Sequence, residues 1–259
     1  MGILDGRVAC VTGGTRGIGL AIAKGFLDEG ASVVINGRDP DKAEQTLAEL
    51  DAGDRVSFVP GDVRQREVCE GLVDTTVDRY GRIDIMVANA GGGTGHAPIV
   101  DLTDEAMQDA LTWNFWHTFW TMRRSFHHMI PQGFGRFMSV SSLEGKVGKP
   151  GVAIYVTAKH AINGLTKSAA HEVGTLGITV NALCPGAIET DTMRRDGPPA
   201  AESMGITYQG LLDWFAEESA TKRLCDVDDV AAVATLLASD AGAGITGSLI
   251  SIDGGTAPY

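Results

Sequence analysis

The fold of this chain is decided by an eight-residue stretch near its start, Thr12-Gly13-Gly14-Thr15-Arg16-Gly17-Ile18-Gly19. It follows a β-branched run at residues 7–12 and opens a helix-sized segment at residues 17–29. Glycines at such a turn let backbone N–H groups approach a pyrophosphate, whose charge is favoured by the helix N-terminus. A tight turn without a ligand is the alternative interpretation, but strand before and helix after favour a dinucleotide site.

Short apolar runs alternate with helix-sized segments along most of the chain. The runs lack polar alternation, which is typical of strands covered on both faces. We therefore predict an α/β fold: a Rossmann-like, doubly wound, mostly parallel seven-stranded sheet between two helical layers, in one domain over residues 1–259. The predicted strands are 7–12, 32–36, 55–59, 83–88, 135–140, 179–183 and 248–252, and the predicted helices 17–29, 41–50, 64–79, 104–130, 155–174 and 226–239.

Composition and charge exclude several classes of protein. Hydrophobic residues are 44% and charged residues 21% of the chain, as in globular proteins. The 33 acidic residues outnumber the 21 basic ones, for a net charge of −12. Such a field repels phosphate backbones and anionic lipids, so we expect no nucleic-acid and no membrane partner. Residues 230–238 form the longest mostly apolar run, broken only by Thr235, and would reach about half of a bilayer span.

The four cysteines are scattered and form no Cys-x-x-Cys pair. This arrangement predicts reduced thiols in a cytoplasmic protein, with neither a disulfide framework nor a metal site.

A Tyr-x-x-x-Lys pair, Tyr155 and Lys159, begins a predicted helix. A spacing of four places both side chains on one helical face. A phenol with a pKa near 10 is a poor base at neutral pH, and a neighbouring ammonium together with an oxidised nicotinamide would lower that pKa. The pair alone is a weak signal, because a tyrosine at a helix start is commonly a packing residue.

Together these motifs resemble the short-chain dehydrogenases/reductases of single-domain type, over essentially the whole chain. The glycine stretch has the TGxxxGxG spacing of this family, and Asp62-Val63, Asn89-Ala90-Gly91, Pro185-Gly186 and Asp253-Gly254-Gly255 follow in the family's order. The order and spacing are specific, whereas no single motif is. The resemblance implies that the cofactor is bound by Gly13, Thr15, Arg16, Gly17, Ile18, Gly19, Arg38, Asp62, Val63, Asn89, Ala90, Gly91, Tyr155, Lys159, Pro185, Gly186, Ile188 and Thr190.

The family's catalytic tetrad also has counterparts here, Asn114, Ser142, Tyr155 and Lys159. The resemblance implies that Ser142 hydrogen-bonds the substrate oxygen and that Tyr155 exchanges a proton with it. Lys159 would lower the Tyr155 pKa and hold the nicotinamide ribose. Asn114 would anchor a water that links Lys159 to solvent.

The end of the second predicted strand bears on the choice of nicotinamide cofactor. NAD enzymes usually carry an acid there, about 20 residues past the glycines. This chain has Gly37 at that position, followed by Arg38, and Arg16 lies in the glycine loop. Two guanidiniums suit a 2′-phosphate, which favours NADP(H) over NAD(H). The alternative is that both arginines are solvated and that Asp39 takes the ribose hydroxyls.

The substrate is less constrained than the cofactor. The chain looks similar both to 3-oxoacyl and polyketide ketoreductases and to 3-hydroxybutyrate dehydrogenases. The hydroxybutyrate enzymes hold a carboxylate with a Lys and a His, where this chain has Val152 and Glu144. We therefore predict a neutral, apolar ketone or secondary alcohol that contacts Ser142, Tyr155 and Glu144. A reductase of 3-oxoacyl thioesters is the alternative enzyme, and an NADP-sensing regulator the alternative outside catalysis.

Three further expectations concern the surroundings of this site. Residues 189–221 break the strand–helix alternation and predict a mobile substrate lid with a short helix. His96, beyond the Asn89-Ala90-Gly91 turn, is a further candidate for a substrate contact. Family members usually form tetramers through their long helices, and the aromatic residues at 113, 115, 116, 119 and 120 suit such a contact, so we expect a homotetramer.

Overall fold

A seven-stranded parallel sheet forms the centre of the protein, seen here in a computed structural model that describes residues 2–93 and 97–257. Its strand order is β3-β2-β1-β4-β5-β6-β7, with parallel pairing between all neighbours. The order reverses at β1 and β4, so ligands are expected at the carboxyl ends of these strands. The strands are β1 Val8–Val11, β2 Ser32–Gly37, β3 Val56–Pro60, β4 Ile85–Ala88, β5 Gly135–Val140, β6 Ile178–Pro185 and β7 Leu249–Ile252.

Helices cover both faces of the sheet, as the sequence predicts. One apolar core lies under α1 and α9 and the other under α3, α5 and α6, and both consist of buried aliphatic and aromatic side chains. In the described part of the chain, no helix has the length and apolar character needed to cross a membrane. The helices are α1 Gly17–Asp28, α2 Pro40–Leu50, α3 Arg66–Tyr80, α4 Asp104–Leu111, α5 His117–Gln132, α6 Ala153–Val173, α7 Asp191–Ser203, α8 Tyr208–Glu218 and α9 Val227–Ala238.

The segment predicted as one helix at residues 104–130 is helical throughout, but its hydrogen-bond pattern changes in the middle. A π-helical turn at Thr112–Trp116 joins α4 to α5. Apolar periodicity does not show this turn, because inserting one wide turn leaves helical spacing on either side nearly unchanged. The prediction of one helical segment is therefore confirmed, and the π-helical turn within it is the feature that it did not include.

The segment 189–221 is more ordered than the predicted loop with one short helix. It holds α7 and α8, whose first turns are capped by the side chains of Thr190 and Thr207. Gly197, Pro198 and Pro199 lie inside α7, although prolines usually disrupt helix interiors. Gly197 leaves room for the Tyr208 ring, since a Cβ there would lie 2.5 Å from it.

Candidate active site

The glycine loop between β1 and α1 is fastened to the turn that follows β4. The Thr12 hydroxyl accepts hydrogen bonds from the backbone N–H groups of Asn89 and Ala90, both at 2.9 Å. The Asn89 amide donates to the carbonyls of Thr12 and Gly13 at 2.8 and 3.2 Å. The structure thus brings two predicted cofactor-binding segments together at the point where the strand order reverses.

The N-terminus of α1 has the properties of a pyrophosphate site. Gly13 and Gly17 adopt positive φ values of 62° and 54°, and a Cβ on Gly19 would lie 2.3 Å from the Gly13 carbonyl oxygen. The N-cap residue, Arg16, is exposed and makes no side-chain cap, and the first turn contains no acidic residue. Uncapped N–H groups at a helix start are donors suited to an anionic group, so the residues present fit a dinucleotide.

The end of β2 leaves no room for the acid that NAD enzymes usually carry. A Cβ on Gly37 would lie 2.9 Å from the side chain of Thr15, which is itself buried. The Asp39 carboxylate accepts a hydrogen bond from the Lys42 backbone N–H at 3.1 Å and caps α2. The acid that follows β2 is therefore engaged in holding a helix.

Arg38 follows β2 and Asp62 follows β3, so the two residues lie at the carboxyl ends of neighbouring strands. The Arg38 side chain is 65% exposed, and its guanidinium is 4.0 Å from the Asp62 carboxylate. Asp62 also accepts a hydrogen bond from the Arg64 backbone N–H at 3.0 Å, and Val63 is buried. The guanidinium thus remains available to solvent and to a ligand.

The segment after β6 approaches the glycine loop from the other side. A Cβ on Gly17 would lie 3.5 Å from the Thr190 methyl group, so the two segments are neighbours. Pro185 ends β6, Ile188 is buried, and a Cβ on Gly186 would lie 2.9 Å from Asp253. This close packing places the predicted carboxamide-binding segment beside the predicted pyrophosphate site.

Ser142, Tyr155 and Lys159 meet at the carboxyl end of β5 and the start of α6. The hydroxyl groups of Ser142 and Tyr155 are hydrogen-bonded. Lys159 is 3% exposed, and its ammonium donates to the Val140 carbonyl at 2.9 Å. The same ammonium lies 5.4 Å from the centre of the Tyr155 ring. Three of the four predicted catalytic side chains are thus in one cluster.

Glu144 folds back onto Ser142. The Ser142 hydroxyl donates a hydrogen bond to the Glu144 carboxylate and accepts one from the Glu144 backbone N–H at 3.2 Å. A turn of 3-10 helix at Leu143–Gly145 produces this reversal, with Ser142 as its N-cap. The acid is therefore part of the cluster, as the sequence predicts for a substrate contact.

The environment of Tyr155 acts against ionisation. Burial raises the pKa of Tyr155, and the negative charge of Glu144 raises it further. Burial also lowers the pKa of Lys159 to about 8, so a fraction of the lysine is uncharged near neutral pH. The lowering of the Tyr155 pKa that Lys159 and an oxidised nicotinamide would produce together must therefore exceed these opposing effects.

Asn114 lies in the π-helical turn and is completely buried. Its side-chain oxygen accepts from the Gly92 backbone N–H at 3.1 Å, and its side-chain nitrogen donates to the carbonyls of Gly92 and Ala110 at 3.1 and 3.0 Å. A Cβ on Gly91 would lie 2.6 Å from the Asn114 oxygen and 3.5 Å from the Lys159 ammonium. The structure thus places Asn114 against the same turn as Lys159.

His117 is a site-supporting residue that the sequence analysis missed. In the π-helical turn the His117 backbone N–H bonds to the Thr112 carbonyl, which deprives the Trp113 carbonyl of its α-helical partner. The His117 ring supplies that partner, since its Nδ1 donates to the Trp113 carbonyl at 2.8 Å, and its Nε2 lies 3.4 Å from the Thr12 hydroxyl.

Burial lowers the pKa of His117 to about 4, so the ring is neutral at physiological pH. The signal available in the sequence is a histidine three residues after Asn114 in an otherwise apolar segment. His96 lies outside the described residues.

Comparisons with known proteins identify the family of this chain. A family model described as short chain dehydrogenase matches residues 7–200. The chain is 35% identical to D-beta-hydroxybutyrate dehydrogenase of Rhizobium meliloti over 96% of this chain and 98% of that protein. It is 35% identical to the monensin polyketide synthase putative ketoacyl reductase of Streptomyces virginiae over 96% of each chain.

A solved structure extends the likeness to three dimensions. The crystal structure of a single-residue variant of actinorhodin polyketide ketoreductase with NADPH superposes with a TM-score of 0.94 and 32% identity, covering 100% of both chains. Sequence and fold therefore agree over the whole length of the chain. The protein belongs to the short-chain dehydrogenase family, oxidoreductases that use a nicotinamide cofactor.

Proposed function

We propose that this protein is an NADP(H)-dependent oxidoreductase that interconverts a neutral ketone with apolar flanks and its secondary alcohol. The observation that carries the proposal is the cluster of Ser142, Tyr155 and Lys159 beside the uncapped start of α1. A regulator that only senses the cofactor would have no need of a hydrogen-bonded Ser142–Tyr155 pair backed by a buried lysine.

The proposed chemistry divides between the cofactor and the chain. A bound nicotinamide supplies or accepts the hydride. The hydroxyl groups of Ser142 and Tyr155 are neighbours, and both would donate a hydrogen bond to the carbonyl oxygen, to which Tyr155 gives its proton during reduction. Lys159 supports the phenol from one helical turn away, and Asn114 fixes the neighbouring turn at Gly92.

Electrostatics at Ser142 argue against a small keto acid as the substrate. Glu144 places a carboxylate against the hydroxyl that would hold the substrate, and Val152 at the start of α6 offers no cation. A second carboxylate in this partly dry cleft would be repelled by Glu144, and Lys159, whose pKa burial lowers to about 8, is a weak counter-charge for it. This supports a neutral substrate, although two similar proteins carry the name of a hydroxybutyrate dehydrogenase.

A reductase of 3-oxoacyl thioesters is the second candidate, favoured by the similarity to polyketide ketoreductases. An acyl carrier would need exposed cations for docking. Both arginine pairs of the sequence instead bond to acids of their own chain: Arg123 to Glu70, Arg124 to Asp74, Arg194 to Glu189 and Asp191, and Arg195 to Asp196. The small-ketone proposal therefore has the stronger support.

Initial rates test the two candidates together. NADPH and NADH are each paired with neutral ketones, 3-oxoacyl thioesters and keto acids. The proposal expects the highest kcat/KM for a neutral ketone with NADPH. A preference for thioesters would replace it with the second candidate, and binding of NADPH without any turnover would favour a sensing role.

The position of α8 supports the proposed lid. A cleft of about 580 Å³ opens between residues 97–99 and 149–153, next to the start of α6. At its edge the Lys149 ammonium lies 4.6 and 4.8 Å from the ring centres of Trp214 and Phe215, and 3.7 Å from the Glu218 carboxylate. Lys149 thus fastens α8 to the loop that leads into the catalytic helix.

Removing the contact between Lys149 and α8 should raise KM for the ketone and leave the affinity for the cofactor unchanged. We expect Trp214→Ala and Lys149→Gln to raise KM for bulky ketones by about threefold or more, because each removes a cation–π contact of the lid. Steady-state kinetics and NADPH binding by fluorescence measure the two effects. Lys167→Gln, at an exposed position of α6, is the charge-matched control. Unchanged KM in both variants would contradict the lid.

The aromatic residues of the α4–α5 segment support a homotetramer. Trp116 is 37% exposed and packs against Phe119 and Trp120, with ring centres 5.9 and 6.1 Å apart. A cluster of half-exposed indole and phenyl rings on one helix is unusual for a monomer and suits contact with another subunit.

Light scattering tests the assembly. We expect a mass near four times the 27.2 kDa of one chain at micromolar concentration. Trp116→Glu should lower this mass, since it would place an unpaired charge in the subunit contact. A wild-type mass equal to that of one chain would refute the assembly.

A further inference from the structure

Ser142 has one hydroxyl proton, and two acceptors require it. In the structure that proton is donated to the Glu144 carboxylate, while the same oxygen accepts from the Glu144 backbone N–H. In the proposed reaction the proton must instead be donated to the carbonyl oxygen of the substrate, beside the Tyr155 hydroxyl. A serine hydroxyl has no second proton with which to serve both.

Substrate binding therefore deprives Glu144 of a donor. The side chain is half-buried, and leaving a partly desolvated carboxylate without a hydrogen bond is costly. A carboxylate can only accept, so a replacement must be an O–H or N–H group. A ketone flanked by carbon alone offers none, and a keto acid adds a second anion.

The position of Glu144 decides where such a donor would sit. Its carboxylate is hydrogen-bonded to Ser142 and acts electrostatically on both Tyr155 and Lys159, so it faces the reacting carbonyl. Oxygens on adjacent carbons are separated by about one hydrogen-bond length, as are Ser142 Oγ and the Glu144 carboxylate. A hydroxyl next to the carbonyl would therefore reach Glu144 while the carbonyl oxygen binds Ser142.

We propose that Glu144 determines specificity by accepting a hydrogen bond from a hydroxyl group on the carbon adjacent to the reacting carbonyl. The substrate class is then an α-hydroxy ketone with one apolar flank, or the corresponding vicinal diol in the oxidative direction. This inference rests on the proposed ketone–alcohol activity, and it replaces one apolar flank of the proposed ketone with a carbon that carries a hydroxyl group.

Three aryl ketones that differ at one position test the inference: hydroxymethyl phenyl ketone, ethyl phenyl ketone and phenylglyoxylate. The wild-type enzyme should prefer the hydroxymethyl ketone over the ethyl ketone by about tenfold or more in kcat/KM, because the hydrogen bond is made to a charged acceptor. Phenylglyoxylate should be the poorest of the three. Glu144→Leu should abolish the preference, and Glu144→Gln, which keeps an acceptor oxygen, should retain part of it.

The controls separate this inference from the activity on which it rests. Glu172→Gln removes an exposed acid at the far end of α6 and should leave the preference unchanged, and NADPH binding verifies that each variant is folded. Equal rates on the hydroxymethyl and ethyl ketones, or a preference that persists in Glu144→Leu, would overturn the role of Glu144 while leaving the oxidoreductase intact. Failure to reduce any ketone or oxidise any secondary alcohol, despite NADPH binding, would overturn both.

Discussion

Tyr155→Phe should lower kcat by a factor of about a hundred to ten thousand while NADPH binding is almost unchanged. The substitution removes one hydroxyl group, the proposed proton donor, and keeps the ring that packs at the start of α6. Steady-state rates and fluorescence titration of the cofactor measure the two quantities. Tyr80→Phe is the matched control and should keep full activity. It removes a hydroxyl group at the end of α3 that donates a hydrogen bond to the Asp54 carbonyl. Near-normal kcat in Tyr155→Phe would contradict the proposed mechanism.

The pH dependence of the reaction rate gives a second measure of the role of Tyr155. Ketone reduction needs the protonated phenol and should fall as pH rises through the Tyr155 pKa, whereas alcohol oxidation needs the phenolate and should rise. Because burial and Glu144 both raise the pKa of Tyr155, removing the negative charge with Glu144→Gln should displace both profiles toward lower pH. An unchanged or upward-displaced profile in that variant would show that Glu144 does not act on Tyr155.

Arg38→Asp should shift the preference between the two nicotinamide cofactors toward NADH. Wild-type protein should bind NADPH more tightly than NADH, since the exposed Arg38 guanidinium suits a 2′-phosphate and Gly37 has no room for an acid. The variant replaces that contact by repulsion, so its NADPH affinity relative to NADH should fall by about tenfold or more.

Dissociation constants for both cofactors, measured in both proteins, decide this prediction. Arg79→Asp makes the same charge change on α3, away from the strand ends, and should leave the ratio unchanged. Tighter binding of NADH by the wild-type protein would contradict the assignment of NADP(H).

Much of the fold follows from features that are local in the sequence. Continuous apolar runs predict buried strands, and all seven predicted strands overlap those of the sheet. The glycine stretch at residues 12–19 predicts a strand–turn–helix unit, because positive φ angles and close backbone approach require glycine at Gly13, Gly17 and Gly19. Spacing on one helix likewise predicts that Tyr155 and Lys159 share a face.

What the sequence by itself determined is therefore the set of elements, the family and the residues assembled at the strand ends. Only the tertiary structure decided how the polar groups of those residues pair. His117 and Thr12 are far apart in the chain, yet they meet because the π-helical turn lies against the glycine loop. Glu144 turns onto Ser142 and raises the pKa of Tyr155, whereas spacing alone suggested that Lys159 would lower it. Hydrogen-bond partners and desolvation depend on which surfaces pack together, and periodicity along one element carries no information about them.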